Sequence, residues 1–165
     1  MVLQYHPPIT SIDDFIVYAR LPENANRTLE FLNGVISEKM PGSTENSTLA
    51  FYLGFIVQSH CETASIPCYI TGEAGAYRIG QNILVPDFAY KPTPPTVEYP
   101  DPIPPLWVME VISPHDKPGD IRQKRQRYLE AGILLWELYP DEQVVDVYAP
   151  AQPLIAYSLG AVIPV

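Results

Sequence analysis

Cysteine and positive charge are both scarce in this chain, and long apolar runs are missing altogether. Only two cysteines occur, Cys61 and Cys68. With no secretory signal beside them, a disulfide scaffold is excluded and both are expected to be buried thiols in a reducing compartment. His60, Cys61, Cys68 and His115 could be imagined around a zinc ion, but the six-residue gap between the cysteines is not a recurring zinc spacing, so core packing is the better reading. No stretch reaches the roughly 18 apolar residues that span a bilayer. The first twenty residues, which include Asp13 and Asp14, lack the charge pattern of a signal peptide. A cytoplasmic protein with no membrane partner is therefore expected.

The shortage of positive charge carries more weight. Ten Lys and Arg stand against 19 Asp and Glu, a formal charge of -9, which excludes a generally basic surface that draws in nucleic acid without preference. Half of the basic residues (Lys117, Arg122, Lys124, Arg125 and Arg127) nevertheless fall in one short stretch. Any phosphate contact should be concentrated there. At 165 residues and 47% apolar content, one domain over 1–165 with a single sizeable core is expected.

Hydrophobic patterning predicts an α/β (α+β) chain. Ser11-Ile-Asp-Asp14 reads as a capping box opening a short helix. Leu29–Leu32 and Val35–Met40 flank Asn33-Gly34, a dipeptide whose residues tolerate positive φ and so signal a hairpin. Ser43 or Thr44 can cap a helix to about Ser59, with Leu49, Tyr52, Leu53, Ile56 and Val57 as its apolar stripe. Strands are expected at Cys68–Thr71, Ala76–Ile79, Ile83–Tyr90, Leu106–Ile112, Ile133–Tyr139, Val144–Tyr148 and Leu154–Tyr157, and a helix over Gly119–Ala131 ending at Gly132. From Lys91 to Pro105, inclusive, there are seven prolines. They cannot donate ladder hydrogen bonds, and the segment reads as a rigid surface connector.

Two carboxylates are out of place in this pattern. Glu110 interrupts the almost unbroken apolar run Leu106–Ile112, the mark of a strand buried on both faces. An ionised carboxylate there is costly unless it is paired or bound to a cation, and a salt bridge to a helix arginine is the plain alternative. Asp87 lies in Val85–Tyr90, where Asp is disfavoured unless Pro86 makes a turn. Two such acids side by side would repel, and a hard divalent cation, Mg²⁺ or Mn²⁺, is the usual way to keep both ionised. On the following helix Ile121, Lys124 and Tyr128 share one face, so Lys124 either snorkels outward or reaches the strand ends.

From Leu29 to Tyr148 the chain resembles a large bacterial family of restriction-endonuclease-like proteins, formerly a domain of unknown function, in the PD-(D/E)XK nuclease superfamily. The resemblance rests on the order and spacing of Leu29-Glu-Phe-Leu-Asn-Gly34, Val85-Pro-Asp-Phe-Ala89, Glu110-Val-Ile-Ser-Pro114, Asp120-Ile-Arg-Gln-Lys124 with Tyr128, and Gly132 leading into Leu135-Trp-Glu-Leu138. It implies a restriction-endonuclease-like mixed sheet flanked by helices, with an N-terminal hairpin. It also implies metal held by Asp87, Glu110 and the Val111 carbonyl, with Lys124 orienting the attacking water. Two departures stand out. The superfamily's lysine lies two residues after the second acid, where this chain has Ile112, so Lys124 must serve from the helix. A histidine follows the glutamate near the long helix in many members, whereas here Glu45 precedes Asn46.

Glu45, Glu30 and Glu73 occupy family-like positions as accessory acids, although a helix N-terminus, a hairpin edge and a loop would each account for one. Arg122, Arg125 and Arg127 are candidates for contact with DNA phosphates, or simply a solvated face. Two functions follow as expectations. One is a divalent-metal-dependent endonuclease hydrolysing DNA. The other is a catalytically silent binding or assembly module, acting as a homodimer, which the acidic charge favours.

Overall fold

Asn33 and Gly34 take φ of 53° and 82°, the geometry that lets a two-residue turn follow the twist of its strands. They join β1 (Leu29–Leu32) to β2 (Val35–Glu38) in antiparallel register, with Leu29 opposite Glu38 and Glu30 opposite Ser37. The computed structural model describes residues 9–158 and 160–163. Ahead of the hairpin stands α1 (Ile12–Ala19), closed by the expected capping box: Ser11 Oγ accepts the Asp14 N–H and the Asp14 carboxylate accepts the Ser11 N–H.

The strands form two sheets rather than one continuous meander. The smaller has the order β2-β1-β5-β4, with β4 (Tyr77–Ile79) and β5 (Asn82–Leu84). The larger is mixed, in the order β10-β9-β8-β7-β6-β3, with β3 (Tyr69–Gly72), β6 (Phe88–Lys91), β7 (Trp107–Val111), β8 (Leu134–Tyr139), β9 (Val144–Tyr148) and β10 (Ile155–Ser158). Among the paired strands of the described residues, only β7 and β8 run parallel. They are joined through α3 (Pro118–Glu130), as a parallel crossover requires. The run expected as one strand over Ile83–Tyr90 is thus divided between sheets. Pro86 cannot donate to a ladder, and the chain leaves one sheet after Leu84 and enters the other at Phe88.

Alternation along β7 sorts its side chains between two layers. Val108 packs with Leu135, Tyr128, Ala89 and the β4–β5 residues Tyr77, Ile79 and Leu84. Trp107, Met109 and Val111 face the other way, onto Phe88, Trp136 and the long helix α2 (Thr44–Ala64). On the outer face of the small sheet, Phe15 and Ile12 of α1 cover Leu29, Phe31 and Ile83. Helix α3 starts with Pro118 at its first position. It ends in a Schellman turn, with Gly132 at φ 73° and the Ile133 and Gly132 amides donating to Tyr128 and Leu129 carbonyls.

The apolar stripe of α2 differs from expectation. Ala50, Leu53 and Val57 pack on the sheet and Cys61 is buried. Tyr52 and Ile56 are instead 59% and 60% exposed, beside exposed Phe51 and Phe55. The sheet side takes Ala50, Leu53 and Val57, with Gly54 among them beside Ile70 and Phe88. A Cβ on Gly54 would sit 3.6 Å from Ile70 Cγ2, an ordinary packing distance, and the aromatics Phe51, Tyr52 and Phe55 face outward.

The proline-rich segment after β6 is pinned from within. Lys91 Nζ and Asp101 Oδ2 form a buried pair at 2.8 Å, and Asp101 also accepts the amides of Ile103 (2.9 Å) and Thr96 (3.3 Å). Among the described residues no helix is long and apolar enough to cross a membrane.

Candidate active site

Leaving β5, the chain offers Val85 to the hairpin from both sides of its peptide. Its N–H donates to Glu30 Oε1 at 2.9 Å and its carbonyl accepts from Lys39 Nζ at 2.5 Å. Two residues on, Asp87 turns toward β7, where its Oδ2 accepts the Val111 N–H at 2.7 Å. This backbone contact fixes one carboxylate oxygen and leaves Oδ1 facing the cleft.

Glu110 belongs to the face of β7 that meets α3. Tyr128, fully buried, donates its hydroxyl to Glu110 Oε1 at 2.8 Å. One turn earlier on the same helix face, Lys124 Nζ lies 2.9 Å from Glu30 Oε2 and 3.7 Å from Glu110 Oε1. The second ammonium, Lys39, lies 2.8 Å from Asp87 Oδ1 and 3.8 Å from Glu110 Oε2. Three carboxylates and two lysines from separate parts of the chain thus form one connected cluster in a cleft of about 980 Å³. A smaller cleft of about 620 Å³ beside the hairpin turn holds none of them.

Burial pushes the Glu110 carboxyl above the ordinary glutamate range, with Lys124 and Lys39 pulling it back and Asp87 and Glu30 adding to the rise. Burial works against both ammonium groups. It is outweighed at Lys124 by Glu110 and Glu30, and at Lys39 by Glu110 and Asp87, so both lysines titrate above their ordinary value and stay charged. Tyr128 is raised well above the usual phenol range, first by burial and then by Glu110, and remains a donor.

The other candidate residues separate by depth. Glu30 is buried inside the cluster, whereas Glu45, in the first turn of α2, and Glu73, just beyond β3, are exposed residues lining the cleft. Arg125 makes a two-pronged bond to buried Glu137 (2.9 and 2.6 Å) and lies over the Tyr148 ring at 4.5 Å. Arg127 is held by Glu130 and by Asn33 Oδ1. Arg122 is exposed.

Sequence reasoning missed two of these residues. Lys39 could have been found by counting along the hairpin, since alternation from Ser37, opposite Glu30, places it on the Glu30 face. Glu137 is the register partner of Glu110 across β7 and β8, but that pairing has no local signal.

No group of three or more His, Cys, Asp or Glu side chains able to cage a metal occurs among the described residues, so the imagined zinc set is not assembled. The donor chemistry instead suits Mg²⁺ or Mn²⁺. Such ions take oxygen ligands, and Mg²⁺ binds through one or two carboxylates while keeping several waters. Asp87 Oδ1 and Glu110 Oε2 already converge on one positively charged atom.

The mixed sheet flanked by helices, with a carboxylate-lysine cluster where β6 and β7 meet α3, defines a nuclease-fold protein. Residues 16–164 match the family model Uma2, described as "Putative restriction endonuclease", and the chain belongs to that family. It is also similar in fold to a DUF820 protein of Anabaena variabilis, described as a "putative nuclease". That likeness has a TM-score of 0.78 and 24% identity over 94% of this chain and 88% of the other. A search of the curated proteins gives no match.

Proposed function

We propose that this chain is a divalent-metal-dependent endonuclease that hydrolyses DNA phosphodiester bonds at Asp87, Glu110 and Lys124. One observation carries the reading: Asp87 Oδ1 and Glu110 Oε2, from separate parts of the chain, face a single cation position, and Lys124 stands 3.7 Å from the other Glu110 oxygen. Membership of the Uma2 family supports it.

Asp87, Glu110 and the Val111 carbonyl would hold Mg²⁺ or Mn²⁺. The bound ion would lower the pKa of a ligated water and offset charge on the phosphate. Lys124, kept charged by Glu110 and Glu30, donates hydrogen bonds that orient the attacking water and stabilise charge on the phosphate oxygens. Glu30 positions Lys124, and Tyr128 positions Glu110. Arg122 is the candidate for DNA phosphate contact, because Arg125 and Arg127 are already held by carboxylates. Glu45 and Glu73, on the cleft wall, are accessory acids at most.

The test is cleavage of plasmid and of short single-stranded DNA with Mg²⁺ or Mn²⁺, with chelator as control. Metal-dependent nicking is expected, and its absence on both substrates overturns the reading. Tyr128→Phe removes the hydroxyl that orients Glu110. It is expected to weaken Mn²⁺ binding about tenfold, measured by calorimetry. An unchanged affinity would assign Tyr128 to packing alone.

A second reading, an inactive assembly module acting as a homodimer, is favoured by the outward aromatics of α2, Phe51, Tyr52 and Phe55. It predicts no cleavage together with a dimer in solution.

A further inference from the structure

We infer that Lys39 is a built-in counter-cation that fills the metal position of the metal-free protein, and that its ammonium must leave before a divalent ion can bind. The inference rests on the reading of Asp87 and Glu110 as metal ligands. It adds a controlling element to that site.

The geometry is that of an ion among ligands. Lys39 Nζ donates to the Val85 carbonyl at 2.5 Å, pairs with Asp87 Oδ1 at 2.8 Å and reaches Glu110 Oε2 at 3.8 Å. Two of these oxygens are the ones a metal would take, and a metal and an ammonium cannot share that point. Lys124 does not compete in this way, because its shortest contact is Glu30 Oε2 at 2.9 Å and Glu30 is not among the ligands.

Charge leads to the same conclusion. Asp87, Glu110 and Glu30 against Lys39 and Lys124 leave the cluster one negative charge in excess. A divalent ion added on top would make it one positive in excess, whereas exchange of Lys39 for the ion makes it neutral. In a partly buried site the neutral arrangement is favoured, because each unbalanced charge there is costly.

The chain also gives Lys39 somewhere to go. Its backbone is anchored, with the N–H donating to the Thr28 carbonyl at 2.8 Å. Val35, Glu38, Met40, Pro41 and Gly42 around it are exposed, and β2 is the edge strand of its sheet. The four-carbon stem can swing the ammonium from the cleft to water with no change of strand pairing. Metal therefore binds only the fraction of molecules in which Lys39 has withdrawn, and the apparent affinity is reduced by that fraction.

The experiment is Mn²⁺ binding by calorimetry to the full chain and to Lys39→Met, with Asp87→Asn as control. Lys39→Met is expected to bind Mn²⁺ about tenfold tighter than the unsubstituted protein, and Asp87→Asn to lose binding. Equal affinities for wild type and Lys39→Met overturn the inference and leave the metal site standing. No binding to either, or binding that survives Asp87→Asn, removes the metal reading and the inference together. A measurement on the wild-type protein guards against a variant that fails to fold. Acylation of lysines by an N-hydroxysuccinimide ester, mapped by mass spectrometry, should increase at Lys39 and not at Lys124 as Mn²⁺ saturates the site. Lys39 labelling that does not change at saturating Mn²⁺ overturns the inference.

Discussion

Glu110→Gln and Asp87→Asn are each expected to lower metal-dependent DNA cleavage about a thousandfold, equivalent to roughly 4 kcal/mol of transition-state stabilisation. Both replacements keep the shape of the side chain and remove its charge. The amide oxygen introduced at position 110 could still accept from the Tyr128 hydroxyl, and the one introduced at position 87 could still accept the Val111 N–H, with the amide nitrogen at 87 turning the Lys39 ammonium away toward water. What each variant loses is the anionic oxygen facing the cation. Glu110→Gln relieves the burial of a charge but also withdraws the leading counter-charge of Lys124 and Lys39, so the thermal midpoint should change little while activity is lost. Paired single-turnover rates and melting curves are the measurement. Wild-type cleavage by either variant would remove the assigned roles, and a melting point far below wild type would mark the residue as structural.

Lys91→Met is expected to destabilise the fold by roughly 3 kcal/mol, because it strands the buried Asp101 carboxylate without its counter-ion. The lower end of the usual range applies, since Asp101 keeps the Ile103 and Thr96 amides. Against a typical total of about 5–15 kcal/mol, such a loss is large. Burial raises the Asp101 pKa, but the Lys91 hydrogen bond and the two backbone amides outweigh it and hold the carboxyl below its ordinary value. A carboxylate lowered in the folded state stabilises fully above the unfolded pKa of about 4 and loses that contribution as pH falls through its folded value. The stability gap between wild type and Asp101→Asn should therefore be level from about pH 5 to pH 8 and close below about pH 4. Urea denaturation across this range is the check, and a gap that widens in acid would contradict the sign. The double variant Lys91→Met/Asp101→Asn, which buries no charge at the pair, should recover part of the loss.

How much of this was legible in the sequence depended on whether a residue's role was local. Asn33-Gly34 carries its turn in two residues, and the hairpin appears where that dipeptide requires it. Asp87 and Glu110 stood out because acids are costly in strands, and the structure brings them with Lys124 and Glu30 into one cluster. The face of α2 was not legible. Phe51, Tyr52, Leu53, Phe55, Ile56 and Val57 make the helix apolar nearly all round, so periodicity could not choose a buried side. The choice is made by the sheet, which receives Ala50, Leu53 and Val57. Nor does composition alone reveal that Pro86 marks a change of sheet rather than a kink in one strand. Glu137 and its bond to Arg125 depend on β7 and β8 lying side by side, which only the crossover through α3 decides.

The cluster draws on residues that are distant along the chain, in the order Glu30, Lys39, Asp87, Glu110 and Lys124. The Glu30 to Val85 bond alone closes a separation of 55 positions. A chain emerging from synthesis therefore exposes single acids and single lysines, but no pocket, until α3 has been made and has docked on β7. Closing such long loops is slow compared with forming the hairpin or a helix. If the site cuts DNA, a chain stopped before α3 lacks Lys124 and Tyr128 and with them the capacity to do damage.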